Sequence, residues 1–63
     1  MINLTGMNNV ELILNADHIE KIESVPETVI TLVSGKKYLV LESTDEVVEK
    51  VIRYKNKIVT YRF

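Results

Sequence analysis

A chain of 63 residues with 46% hydrophobic content and no cysteine has room for one thin core, and no disulfide or cysteine-held zinc to reinforce it. Its net charge of −1, spread over interspersed acids and bases, creates no global field for nucleic acid or an anionic membrane. No apolar run nears the roughly 20 residues of a membrane span, and Met1 to Thr5 lacks both the basic and the apolar segment of a leader, so a cytoplasmic chain is expected.

Ile2-Asn3-Leu4-Thr5 reads as a first strand and Gly6-Met7-Asn8-Asn9 as a turn, because Gly and Asn tolerate positive φ. Val10 to Leu14 reads as the second strand, paired with the first as a hairpin. Asn15-Ala16-Asp17 redirects the chain, since Asn and Asp side chains bond back to nearby backbone in turns. Ile19 and Ile22 are three apart, which fits a helical turn better than strand alternation, so the third strand is expected to start after about Ile19 and to run through Ile22 to Val25.

The stretch around which the rest is arranged follows. Pro26-Glu27 marks a turn, Val29-Ile30-Thr31-Leu32-Val33 is rich in β-branched residues, Ser34-Gly35 is a second turn, and Lys37-Tyr38-Leu39-Val40-Leu41 is another strand-forming run. Ser43-Thr44-Asp45-Glu46 then has the spacing of a capping box and should start a helix. Val47, Val48, Val51 and Ile52 recur at helical spacing, with acids early and bases late, as the helix dipole favours. The helix is expected to end near Asn56-Lys57, leaving Ile58 to Phe63 as a tail or an added strand.

The expected fold is therefore α+β: a small antiparallel β-sheet or half-barrel of about five strands over about residues 2–41, followed by one C-terminal helix over about 44–57 and a tail at 58–63. Ile30 and Leu32 oppose Val29 and Val33, Tyr38 and Val40 oppose Leu39 and Leu41, and Leu12 and Leu14 oppose Ile13. Both sheet faces are thus apolar, and one helix covers only one of them. Curling or a second copy must cover the other, which predicts a homo-oligomer.

Residues that could carry chemistry are sparse. His18 is the one histidine, beside Asp17 and Glu20, and a metal wants three or four ligands, so no metal site is expected. The carboxylate pairs Glu20/Glu23 and Glu42/Asp45 lie in segments with no sign of a pocket that would raise a pKa. Ser34-Gly35-Lys36 lacks the spacer and second glycine of a phosphate loop and reads as a hairpin turn. Neither a cofactor nor an enzymatic activity is expected. Single-stranded nucleic acid is the alternative partner, through Lys36, Lys37, Arg53 and Tyr54, because small sheets with exposed aromatics stack bases. Tyr38 sits in an apolar strand and is expected in the core.

The run of Leu4-Thr5, Leu14-Asn15-Ala16-Asp17-His18-Ile19-Glu20, Pro26-Glu27-Thr28-Val29-Ile30-Thr31-Leu32, Gly35-Lys36-Lys37-Tyr38, Glu42-Ser43 and Glu46-Val47-Val48-Glu49-Lys50-Val51 resembles the FlbD/SwrD family of small flagellar proteins, from Met1 to about Ile58. The resemblance implies a non-enzymatic accessory of bacterial flagella that supports motor power and swarming by binding a motor or stator protein, in the cytoplasm or at the flagellar base. Candidate contact residues, chosen for expected exposure, are Asn8, Asn9, Glu11, Lys36, Arg53 and Lys57. A shorter stretch, Leu14 to Leu32, is similar to the β-rich DNA-binding domains of the LytTR type, which supplies the alternative of a small regulator of flagellar gene expression.

Overall fold

The computed structural model describes residues 1–24 and 26–61, with side chains through Ile58. Five strands and one long helix follow in order: β1 (Ile2–Thr5), β2 (Glu11–Leu14), β3 (Ile19–Ser24), β4 (Thr28–Leu32), β5 (Lys37–Val40) and α1 (Thr44–Tyr61). The architecture is α+β, as the residue pattern predicts. β1 and β2 form one antiparallel hairpin, and β3-β4-β5 form a separate antiparallel meander. The two sheets are stitched together where β1 and β5 end. Gly6 bridges Val40, and the Leu41 amide donates to the Thr5 carbonyl at 2.8 Å.

Each turn follows from its residues. Asn9 sits at φ 64 in the β1–β2 turn, a region Asn adopts more readily than most residues. Gly6 closes that turn, its amide donating to Val10 O at 2.8 Å. A Cβ there would lie 3.2 Å from the same carbonyl, so only glycine fits without a shift. Asn15 caps a short 3-10 turn over Ala16–His18 through its side chain, which accepts from the Asp17 amide at 3.0 Å. Gly35 takes φ 93 in the β4–β5 turn. β4 ends at Leu32, so Val33 belongs to this turn instead of the strand, and its amide donates to the His18 carbonyl at 2.8 Å.

Ile19 and Ile22 share the inner face of β3 although they are three residues apart. The register shifts between Ile19 and Lys21, leaving Glu20 without a partner on β4, so Ile19 pairs with Leu32 and Ile22 with Ile30. A bulge of this kind inserts one residue and resets the alternation. The spacing that resembles a helical turn is the mark of that bulge, and the strand starts at Ile19 itself.

The core is built from Ile2, Leu4, Leu14, Ala16, Ile30, Val40 and Val47, with Ile22, Tyr38, Val51 and Tyr54 among the residues packed against it. It lies between the inner faces of both sheets and the first half of α1. Fully burying a side chain such as Ile30 or Leu4 contributes about 1.5–3 kcal/mol. The outer face of the sheets is left open, with Ile13, Leu39 and Leu41 exposed.

The helix differs from its expected end. It continues to Tyr61 instead of stopping near Lys57, so residues 58–61 extend α1 and do not form an added strand. Nothing in Asn56-Lys57-Ile58 breaks a helix: no glycine or proline interrupts it, and a single Asn costs only a few tenths of a kcal/mol. The expected end of the third strand at Val25, and the tail residues Arg62 and Phe63, lie outside the described residues.

Candidate interaction surfaces

α1 begins with the capping box its sequence announces. The Glu46 amide donates to Ser43 Oγ at 3.2 Å, and the Glu46 carboxylate accepts from the Ser43 amide at 3.0 Å. This start fixes the rotation of the helix. Val47 is buried at 0% exposure, and the core-facing stripe continues through Val51 and Tyr54.

One flank of that stripe forms a cleft against β1. Lys50, Arg53 and Lys57 line its helical wall, Asn3 and Ile2 its strand wall, and Tyr54 its base, enclosing about 320 Å³ in an open trough. None of the lining residues is acidic. Three of the chain's eight basic residues therefore converge on one groove. Arg53 also pairs with Glu49 one turn away, both well exposed. Lys57 makes no ion pair with a described residue.

Glu42 ties the end of β1 to the segment that leads into α1 through its bonds to Thr5. Desolvation pushes its carboxyl up, but hydrogen bonds from the Thr5 amide, its own amide and the Thr5 hydroxyl, with the positive charge of Lys50, outweigh that effect and hold it below the ordinary carboxylate value. Lys50 thus lines the groove while its charge also favours the ionised form of Glu42.

The other flank of α1 faces β3. Val48, Val51 and Ile52 on the helix, with Ile19, Glu20, Lys21 and Ile22 on the strand, line a second trough of about 310 Å³ that is largely apolar. Lys55, farther along this side, donates to Asp17 at 3.0 Å and ties the helix to the 3-10 turn.

The six candidate contact residues are all exposed, and they fall into three groups. Arg53 and Lys57 meet in the basic cleft. Asn8 and Asn9 lie in the β1–β2 turn with Glu11 at the start of β2, and Lys36 lies in the β4–β5 turn. Met1, Ile2, Asn3 and Lys50, none of them among the candidate contacts, complete the cleft with Tyr54, which the sequence offers only as a nucleic-acid contact. A signal for Lys50 is in the sequence: Lys50, Arg53 and Lys57 recur at spacings of three and four, which puts them on one helical stripe. His18 is exposed at the end of the 3-10 turn, where its backbone carbonyl accepts from Val33. Among the described residues, no group of three or more His, Cys, Asp or Glu is placed to hold a metal ion. No described helix is long and apolar enough to cross a membrane.

A family model, FlbD, described as flagellar and swarming motility proteins, matches residues 1–59. No curated protein and no solved structure matches the chain.

Proposed function

The chain belongs to the FlbD family of flagellar and swarming motility proteins, and from that premise we propose that it is a non-enzymatic accessory that supports motor power by binding a stator or motor-base protein in the cytoplasm. The observation that carries this reading is the cleft between β1 and α1, whose wall presents Lys50, Arg53 and Lys57 with no acidic residue in its lining. Such a groove suits an acidic protein surface. Charged groups at an open rim contribute mainly to the association rate and to the choice of partner. Ile2 and Tyr54 in the groove's lining add apolar area that a purely ionic contact would lack.

Single-stranded nucleic acid, the alternative partner, has less support. Tyr38 and Tyr54 are partly buried against the core, and they do not share one surface: Tyr54 lies in the cleft and Tyr38 does not. The cleft that holds Arg53 and Tyr54 contains neither Lys36 nor Lys37. Retention on heparin with a steep salt dependence would favour this alternative.

The test is rotation speed under load of tethered cells with and without the gene, with filaments counted in parallel. A fall in torque with filaments intact supports the motor reading. Loss of filaments points to assembly or expression instead, and unchanged torque overturns the proposal.

A further inference from the structure

The cleft between β1 and α1 runs along an edge of the strand, not along one of its faces. Ile2 is buried on the inner face and Asn3 is exposed on the outer one, yet both line the cleft. β2 occupies the other edge of β1. Which peptide groups face the open edge follows from the hairpin. Gly6 donates to Val10 O and continues the register in which Leu4 faces Leu12 and Ile2 faces Leu14. Antiparallel strands exchange bonds at every second pair, so Ile2, Leu4 and Gly6 bond toward β2, while Asn3 and Thr5 turn their amides and carbonyls outward. Thr5 obeys this alternation: its carbonyl accepts from Leu41 N at 2.8 Å and its amide donates to the Glu42 carboxylate at 2.9 Å. After Glu42 the chain leaves this edge for α1. The amide and carbonyl of Asn3, the next outward-facing residue, have no hydrogen-bond partner among the described residues.

We propose that an extended acidic segment of the protein partner docks here as an added strand, exchanging backbone hydrogen bonds with Asn3. The inference rests on the reading of this cleft as the dock for an acidic protein, and it specifies the form of the occupant. Two observations select that form. The outward peptide groups of Asn3 need a backbone in strand conformation, because a helix has no free amides and carbonyls along its sides. A helix pressed into the cleft would strip these groups of water without pairing them. The opposite wall carries Lys50, Arg53 and Lys57 with no acid in the lining, which favours carboxylates. Those three bases span about 10 Å of helix rise, and alternate side chains of a strand lie about 7 Å apart. Acids at every second position of the occupant therefore meet them from one face. Glu42 is the precedent within the chain: its carboxylate accepts from the neighbouring outward amide of β1, and Lys50 favours its charged form.

Amide exchange and chemical-shift titration by NMR on the full chain test it, with a short blocked peptide of alternating glutamate and valine as the probe. Bound peptide should slow exchange at the Asn3 amide roughly tenfold, and its affinity should fall as salt rises. Methylating the backbone nitrogens of the peptide should weaken binding roughly tenfold. Asn3→Pro should do the same, because it removes the outward N–H and leaves the bonds to β2 untouched. Asn3→Ala changes only the side chain and should bind normally. A peptide that binds without slowing Asn3, and binds equally well when methylated, overturns strand addition while leaving the acidic dock in place. Absence of binding at millimolar peptide also overturns it, and rotation speed under load then decides the motor reading independently. Where Asn3→Pro fails to fold, the methylated peptide and the Asn3 exchange rate still decide, since both use the unaltered chain.

Discussion

The carboxylate of Glu42 grips Thr5 across 37 positions of sequence, accepting from its amide at 2.9 and 3.1 Å and from its hydroxyl at 3.0 Å. β1 ends at Thr5 and α1 begins two residues beyond Glu42, so this contact joins both sheets and the helix at one corner. Its effect depends on ionisation. The folded carboxyl is held below its ordinary value of 4.5, so its stabilisation is fully present above the unfolded value and is lost as pH falls through the folded one. Glu42→Gln is expected to cost on the order of 1 kcal/mol at neutral pH. The gap between the two proteins should narrow as pH drops below about 4. Urea midpoints measured across that range check both the size and the direction.

The capping box predicts two unequal changes at the other side of the same corner. Ser43→Ala removes the acceptor for the Glu46 amide and should lower stability by about 1 kcal/mol. Glu46→Gln should cost less, because the amide oxygen of Gln can still accept from Ser43 N in place of the carboxylate. Thermal melts followed at a helix-sensitive wavelength separate the two.

Local chemistry accounts for what was legible in the sequence. Ser43 to Glu46 fixes the helix start, Gly35 and Asn9 mark turns that need positive φ, and period-two alternation sorts Ile30 from Val29 and Leu12 from Ile13 onto opposite faces. Features that depend on distant partners were less legible. The bulge at Glu20 disguises strand β3 as a helical turn, because the alternation is reset by pairing with β4, which lies beyond the intervening turn. The five strands divide into two sheets joined by the isolated bridge between Gly6 and Val40, and no local signal announces that division. The basic stripe of Lys50, Arg53 and Lys57 is periodic and readable. That β1 would form its opposite wall is a tertiary fact.

Thr31 offers a change in the stabilising direction. It is 6% exposed on β4, the central strand of the meander, and its hydroxyl has no hydrogen-bond partner among the described residues. Across the sheet it is paired with Lys21 on one side and Lys37 on the other, whose aliphatic stems are long enough to cover it. An unsatisfied buried hydroxyl costs roughly 1–3 kcal/mol. Valine has the same branched shape, suits a strand and carries no polar atom. Thr31→Val is therefore expected to raise the denaturation midpoint by the equivalent of about 1 kcal/mol. A lower midpoint would mean that the hydroxyl is satisfied in solution.

Lys55 and Lys57 separate a local role of the basic cleft from a general effect of charge. They are two residues apart on the same exposed turn, yet Lys57 lines the cleft while Lys55 points to the opposite flank and bonds Asp17. Lys57→Glu and Lys55→Glu alter net charge equally, and neither residue touches the core. If an acidic partner docks in the cleft, Lys57→Glu should weaken its binding roughly tenfold, a loss of about 1.4 kcal/mol, and reduce torque under load and swarm expansion. Lys55→Glu should leave both near normal, with only the small stability loss of an exposed ion pair, under about 1 kcal/mol. Melting curves of both variants guard against misfolding as the cause. Equal losses in motility would show that the partner responds to overall charge and would remove the cleft from the mechanism.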